Sequence, residues 1–201
     1  MESSAESYVS MMTSEAQIFR MLLRAHAARE LRKHGHDAPS GLAISQMPPP
    51  SIGKYQLVEY SELEQAFCRV VAEFEARYGE RIASHLHDWP SSESALQTFI
   101  VGVMEEMLAG SRAEWGCVIA TASFLVHVAI QCSEHDMANQ IGTLIDYAVL
   151  LADENLMEFI RKHGGWTSFT LAFRNEHQDT VAQPSSTILR LVTLASICTV
   201  L

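Results

Sequence analysis

Apolar residues recur along this chain at three- and four-residue intervals, and no stretch alternates apolar with polar as a half-buried strand does. The pattern predicts helices almost throughout. Ser14-x-x-Gln17 fits a capping box, and Phe19, Leu23, Ala27 and Leu31 then repeat every fourth residue up to a stop at Gly35. Residues 36–60 read as a linker, because the run Pro48-Pro49-Pro50 forbids helix. Ser61-x-x-Glu64 is a second capping box. It opens a helix whose stripe is Leu63, Ala66, Phe67, Val70, Val71, Phe74, Tyr78 and Ile82. Gly79 is expected to loosen that helix before a short one at 80–88, and Pro90 breaks the chain. A helix over 92–108 turns Leu96, Phe99, Ile100, Val103, Met104 and Met107 inward and ends at Gly110. Residues 115–130 are almost wholly apolar and carry no charge. Such a helix is buried on every side or lies in a membrane. The run is shorter than the ~20 residues a span needs, so it reads as a central helix wrapped by its neighbours. Ser133-x-x-Asp136 is expected to cap a return helix with Met137, Ile141, Leu144, Ile145 and Ala148 on one face. Short helices over 154–163 and 166–173 flank Gly164-Gly165, and a polar stretch leads to an apolar tail at 188–201. The expected fold is all-α: a bundle of about eight helices around the apolar one. Its domain covers 14–173, between a flexible 1–13 and a tail at 174–201.

Composition supports one domain. The chain has 201 residues, 48% hydrophobic and 19% charged, enough for a sizeable core. Lys+Arg number 14 against Asp+Glu 24, a net charge of −10, which argues against gripping nucleic acid. Cys68, Cys117 and Cys132 sit in apolar runs, and with Cys198 they form no CxxC pair, so a reducing compartment is expected. No basic region followed by an apolar run opens the chain, so no secretory signal is expected.

Candidate chemistry is sparse. His85 and His87 lie two apart, and on a helix they face different ways, so one metal would not bridge them. His127 sits within the apolar helix and reads as a neutral, hydrogen-bonded core residue. Glu105 and Glu106 diverge on a helix. No GxSxG, GxxxxGK[ST] or HExxH occurs. Neither an enzyme, a metal site nor a cofactor is expected.

Three segments nevertheless occur in a telling order. They are 63–78 (LEQAFCRVVAEFEARY), Gly110 to Gly116 (GSRAEWG) running into the apolar helix, and 159–169 (FIRKHGGWTSF). This order resembles the third, first and second homology motifs (BH3, BH1, BH2) of the Bcl-2 family of apoptosis regulators. The resemblance covers roughly 15–173; the first helix lies where that family has a fourth motif. It implies a hydrophobic groove that binds the amphipathic BH3 helix of a pro-apoptotic partner through apolar anchors at i, i+3 or i+4, and i+7. Carried over by motif position, the groove would involve Phe67, Phe74, Tyr78, Met104, Met107, Leu108, Ile119, Ala120, Phe124 and Phe173, with Glu114, Trp115 and Gly116 at its border. Each residue has a core reading as well. For Ile119 and Phe124 the two readings stand level; for Phe74, Met107 and Leu108 the groove is favoured, because their helices would form its walls. Trp115, Gly164, Gly165 and Trp166 are equally consistent with holding the fold alone.

Two positions depart from the family pattern. After Trp-Gly the family has an arginine that pairs with an aspartate of the incoming helix, and before Trp an asparagine; here these places hold Cys117 and Glu114. Arg112 lies nearby in sequence as a candidate to replace the arginine. In the chain's own third motif, Val71 and Ala72 stand where a ligand-competent segment has a small residue and Asp. That argues for a groove-bearing, pro-survival protein. The first helix, with its basic continuation, looks Bak-like and keeps a pore-forming effector of the mitochondrial outer membrane as the alternative. The tail at 188–201, interrupted by Arg190, resembles the family's anchor but is shorter than a span. A cytoplasmic protein with partial association to the mitochondrial outer membrane is expected.

Overall fold

The structure, a computed structural model, describes residues 12–42, 57–86, 89–109 and 114–173. The polyproline run, Arg112, His87, Gly110 and the tail lie outside them. Among the described residues there are seven α-helices and no strand: α1 Ser14–Lys33, α2 Leu57–His85, α3 Glu93–Ala109, α4 Trp115–Glu134, α5 Ile141–Ala152, α6 Glu158–Lys162 and α7 Gly165–Ala172. The apolar helix α4 is the centre. It packs against α1, α2, α3 and α5, and nearly every side chain from Gly116 to Ala129 is buried. It runs four residues past the apolar stretch, to Glu134. It is therefore long and apolar enough to cross a membrane, yet here it lies mostly inside the protein.

Helix ends fall close to the expected places, with physical reasons for the differences. The α1 cap is Thr13 rather than Ser14: Thr13 Oγ1 accepts from Ala16 N at 3.3 Å and donates to Asp153 Oδ1 at 2.7 Å. Gly35 does stop α1. Its φ is 80°, with His36 N donating to Leu31 O and Gly35 N to Arg32 O, the paired bonds of a Schellman end. The second expected box is not a cap. Helix α2 begins at Leu57, so Ser61 lies a turn inside it and accepts from Gln65 Nε2 instead. The apolar stripe reaches back to Tyr60, which packs on the core, and the helix follows it into the expected linker. Gly79 does not interrupt α2 either; a Cβ there would touch the His127 ring, so the bare glycine lies beneath an α4 side chain. Ser133 and Asp136 end α4 rather than starting the return helix. Asp136 has φ 60°, and Met137 N donates to Cys132 O at 2.7 Å, again a Schellman geometry. Beyond α5 the backbone stays helical through a π turn, Asp153–Met157, into α6.

The first helix is buried nearly all round despite its charges: Arg20, Arg24, His26 and Glu30 are all inside. Buried charge is tolerable only when paired. Arg20 donates through Nε and Nη2 to the two oxygens of Asp146 on α5, at 2.5 and 2.7 Å, and Arg24 Nη2 donates to Oδ1 at 2.8 Å. Arg24 also donates to the carbonyls of Gly41 and Gly142. Its pKa falls below the ordinary arginine value, chiefly through burial, with Asp146 opposing. The turn Ser40–Leu42 comes so near α5 that a Cβ on Gly142 would lie 3.1 Å from Gly41 O.

Candidate functional site

The motif residues meet in an aromatic cluster below the start of α4. Trp166 is fully buried, stacks on Phe19 at 5.8 Å and donates from Nε1 to Glu15 O at 3.1 Å. Trp115 lies edge-on to Phe159 and Phe169, both at 5.2 Å. Phe67 packs at 6.0 Å from Phe169, and Phe173 at 4.6 Å from it. The hinge bringing α7 back beneath α4 is Gly164-Gly165, with φ 93° and 72°, a region that side chains bearing a Cβ avoid. Arg69 on α2 donates to the Phe173 carbonyl, tying the end of α7 to α2. Trp115, Phe67 and Phe173 thus help hold the fold, whatever else they do.

The other expected groove residues divide by exposure. Phe74, Met104, Met107, Ile119, Ala120 and Phe124 are buried, as is Gly116. Tyr78, Leu108 and Trp115 are half-buried, with the Tyr78 ring 4.8 Å from Phe74. Glu114 is exposed at the N-terminus of α4, where its carbonyl accepts from Cys117 N at 3.0 Å. An anion is well placed there. Cys117 itself is buried, so the position that carries arginine in the resembling family points inward here. Cys68 and Cys132 are buried and reduced, and burial pushes their thiols up to about 11 and about 12.

A cavity of about 200 Å³ opens between α2 and α3 over α4, lined by Ile82, His85, Leu86, Phe99, Val103, Glu106 and Phe124. Of the expected residues, it takes in Phe124. The rest of its lining was missed, although a signal existed. Phe74, Tyr78, Ile82 and Leu86 form one row at four-residue spacing that runs two turns past the motif's end at Tyr78. Phe99 and Val103 belong to the apolar stripe of α3. They are half-buried, with Phe99 6.3 Å from Phe124. The walls are apolar, and His85 and Glu106 stand among them.

A second cavity, of about 260 Å³, lies where α1, α2 and α4 meet. Glu30, His34, Glu75, His127 and Glu134 contribute to its lining, with Gly79, Ala83, Leu86, Val126, Ile130 and Gln131. His127 Nδ1–H donates to Ser123 O at 3.0 Å, and burial lowers its pKa. Glu75 accepts from Ser123 Oγ at 3.4 Å. Its carboxyl is pushed up to about 7, first by burial and then by the Glu30 charge. His26, next to Glu30, is held well below the ordinary histidine value by burial. Among the described residues, no group of three or more His, Cys, Asp or Glu is arranged to hold a metal.

Comparison with known proteins follows the same lines. The family model described as "Apoptosis regulator proteins, Bcl-2 family" matches residues 67–166. Chicken (Gallus gallus) Bcl-2-like protein 1 is 27% identical over 128 residues, which is 62% of this chain and 54% of that protein. The chain thus spans about half the length of that relative. Among solved structures, Trichoplax adhaerens trBcl-2L2 bound to trBak BH3 is similar with a TM-score of 0.63 at 15% identity, covering 83% of this chain and 100% of that one. Chicken BOK gives 0.63 at 19% identity, covering 78% and 94%. Schistosome BCL-2 bound to ABT-737 gives 0.58 at 20% identity, covering 80% and 99%.

Proposed function

We propose that this protein, which belongs to the Bcl-2 family through its domain at residues 67–166, binds the amphipathic BH3 helices of pro-apoptotic relatives and thereby favours cell survival. The observation that carries the reading is the apolar cavity between α2 and α3 over Phe124. It offers half-buried Phe99 and Val103 to an incoming apolar anchor of a ligand helix. Seating one leucine-sized anchor there contributes ~1.5–3 kcal/mol. The similar proteins bound to a BH3 segment and to ABT-737 lend support.

The pro-survival sense rests on the chain's own third motif. Phe67, Val70, Val71 and Phe74 are all buried in the protein's core, so that face is already occupied. Ala72 supplies no anion for another groove. One observation favours the second reading, an effector that permeabilises the mitochondrial outer membrane: α4 is long and apolar enough to cross a bilayer. Residues 188–201 would bring either kind of protein to that membrane, with Arg190 reaching the headgroups.

Calorimetric titration with a Bak-type BH3 peptide tests the binding, and dye release from liposomes on adding that peptide separates the two senses. Saturable binding without release is the expected result. Absence of binding refutes the groove, and peptide-triggered release refutes the pro-survival role.

A further inference from the structure

The two cavities flank the last two turns of α2. Ile82 and His85 face the apolar one, Gly79 and Ala83 face the polar one, and Leu86 lines both. The segment 79–86 is therefore a shared wall with unfilled space on either side. Glu75 stands one turn before it.

Charged and titratable groups reach Glu75's cavity from each of its three helices. From α1 come Glu30 and His34, with Lys33 next to them; from α4 come His127 and Glu134, with the Ser123 hydroxyl. The Lys33 ammonium is engaged by Glu30 at 2.7 Å. The Glu75 carboxylate would thus share this corner with Glu30, with Glu134 at the far end of the cavity, and its hydrogen bond from Ser123 is long. Losing the Glu75 proton places a further negative charge near the Glu30 carboxylate. The cavity has room for the waters that would solvate it.

We propose that Glu75 couples proton binding to helix binding: ionisation of its carboxyl loosens the shared wall at 79–86 from α4 and opens the apolar cavity to a ligand helix. This rests on the helix-binding reading above. The apolar cavity holds about 200 Å³, less than the several anchors of a helix occupy, so a ligand helix needs α2 and α3 to part. Ionised Glu75 and a bound helix both favour the parted state, and such coupling is reciprocal. Glu75's pKa is raised in the folded protein, to about 7. Its stabilising contribution is therefore complete below the unfolded value of ~4.5 and is lost as pH rises through about 7. His127 acts in the opposite sense: burial depresses its pKa, so its contribution is present above the ordinary histidine range and is lost in acid.

The test is titration of the full chain with a Bak-type BH3 peptide between about pH 6 and about pH 8, beside Glu75→Gln and His34→Gln. The wild type and His34→Gln should bind about fivefold or more tightly at the higher pH, and Glu75→Gln should bind equally at both within about twofold. Amide exchange over 79–86, corrected for its intrinsic pH dependence and measured without peptide, should show protection falling across the same range in the wild type and not in Glu75→Gln. A pH slope that survives in Glu75→Gln, or exchange indifferent to Glu75, overturns the proposal. A peptide that binds at neither pH refutes the helix-binding reading instead, and the exchange result then still decides whether Glu75 controls the wall.

Discussion

Replacing Asp146 by Asn removes one negative charge from between two buried guanidiniums. Arg20 and Arg24 have side chains 8% and 9% exposed, and Asp146 is 15% exposed. Three charge-assisted bonds of 2.5–2.8 Å join them across α1 and α5. Asparagine keeps one acceptor oxygen and turns an amide toward Arg20 or Arg24, so two cations then face each other with no anion between them. Breaking a buried ion pair by removing one partner costs about 3–5 kcal/mol. That is a large share of the ~5–15 kcal/mol that holds a domain folded. In urea, with a slope of ~1–3 kcal/mol per molar, the midpoint should fall by roughly 1–5 M at unchanged slope. Replacing all three residues by apolar ones of similar size should recover much of the loss, because no charge is left stranded. Recovery stays incomplete, since Arg24 also serves the Gly41 and Gly142 carbonyls. A loss below about 1 kcal/mol for Asp146→Asn, the value of an exposed pair, would refute the clamp between α1 and α5.

Gly164→Ala should lower stability by about 1–2 kcal/mol from its left-handed backbone alone, and more because the new Cβ meets Ser168 Oγ. Thermal melting of the single and of Gly164→Ala/Ser168→Ala should separate the two parts, and an unchanged melting temperature contradicts the hinge. In a bound BH3 helix, Asp→Ala should cost under ~1.4 kcal/mol, tenfold in affinity, because buried Cys117 offers no cation; a hundredfold loss would mean another cation, such as Arg112, holds the aspartate. Fractionation of cells expressing the full chain and a chain ending at Ser186 should show membrane association only for the former, and identical soluble fractions exclude the tail as an anchor.

The helices were legible because their apolar stripes are long, and the central helix because it carries no Asp, Glu, Lys or Arg from Trp115 to Ser133. The motif order was informative about the fold: Trp115 lies 6.1 Å from Trp166, and Gly164-Gly165 makes the turn between the two short helices. Ends were less legible. A hydroxyl at Ser14, Ser61 or Ser133 can cap only if the chain turns there, and the turn depends on distant contacts such as Thr13 with Asp153. The buried polar face of α1 was hidden for the same reason. Arg20 and Arg24 look like solvated charges until α5 brings Asp146 to them. The cavity was half-legible: its residues lay on the inward stripes, but helical spacing does not tell a filled position from an open one. Phe74 and Met107, favoured for the groove, are 1% and 5% exposed. A charge placed there would strike the core, so Phe99 and Val103 are the better probes of binding.

The most direct measurement is a methyl NMR titration of the chain with a Bak-type BH3 peptide. The methyl groups of Ile82, Leu86 and Val103, which line the apolar cavity, should shift first and most, and Val103→Glu should abolish the binding while the remaining spectrum stays dispersed. Shifts confined to Val126 and Ile130 in the polar cavity, or binding undiminished in Val103→Glu, would contradict the groove.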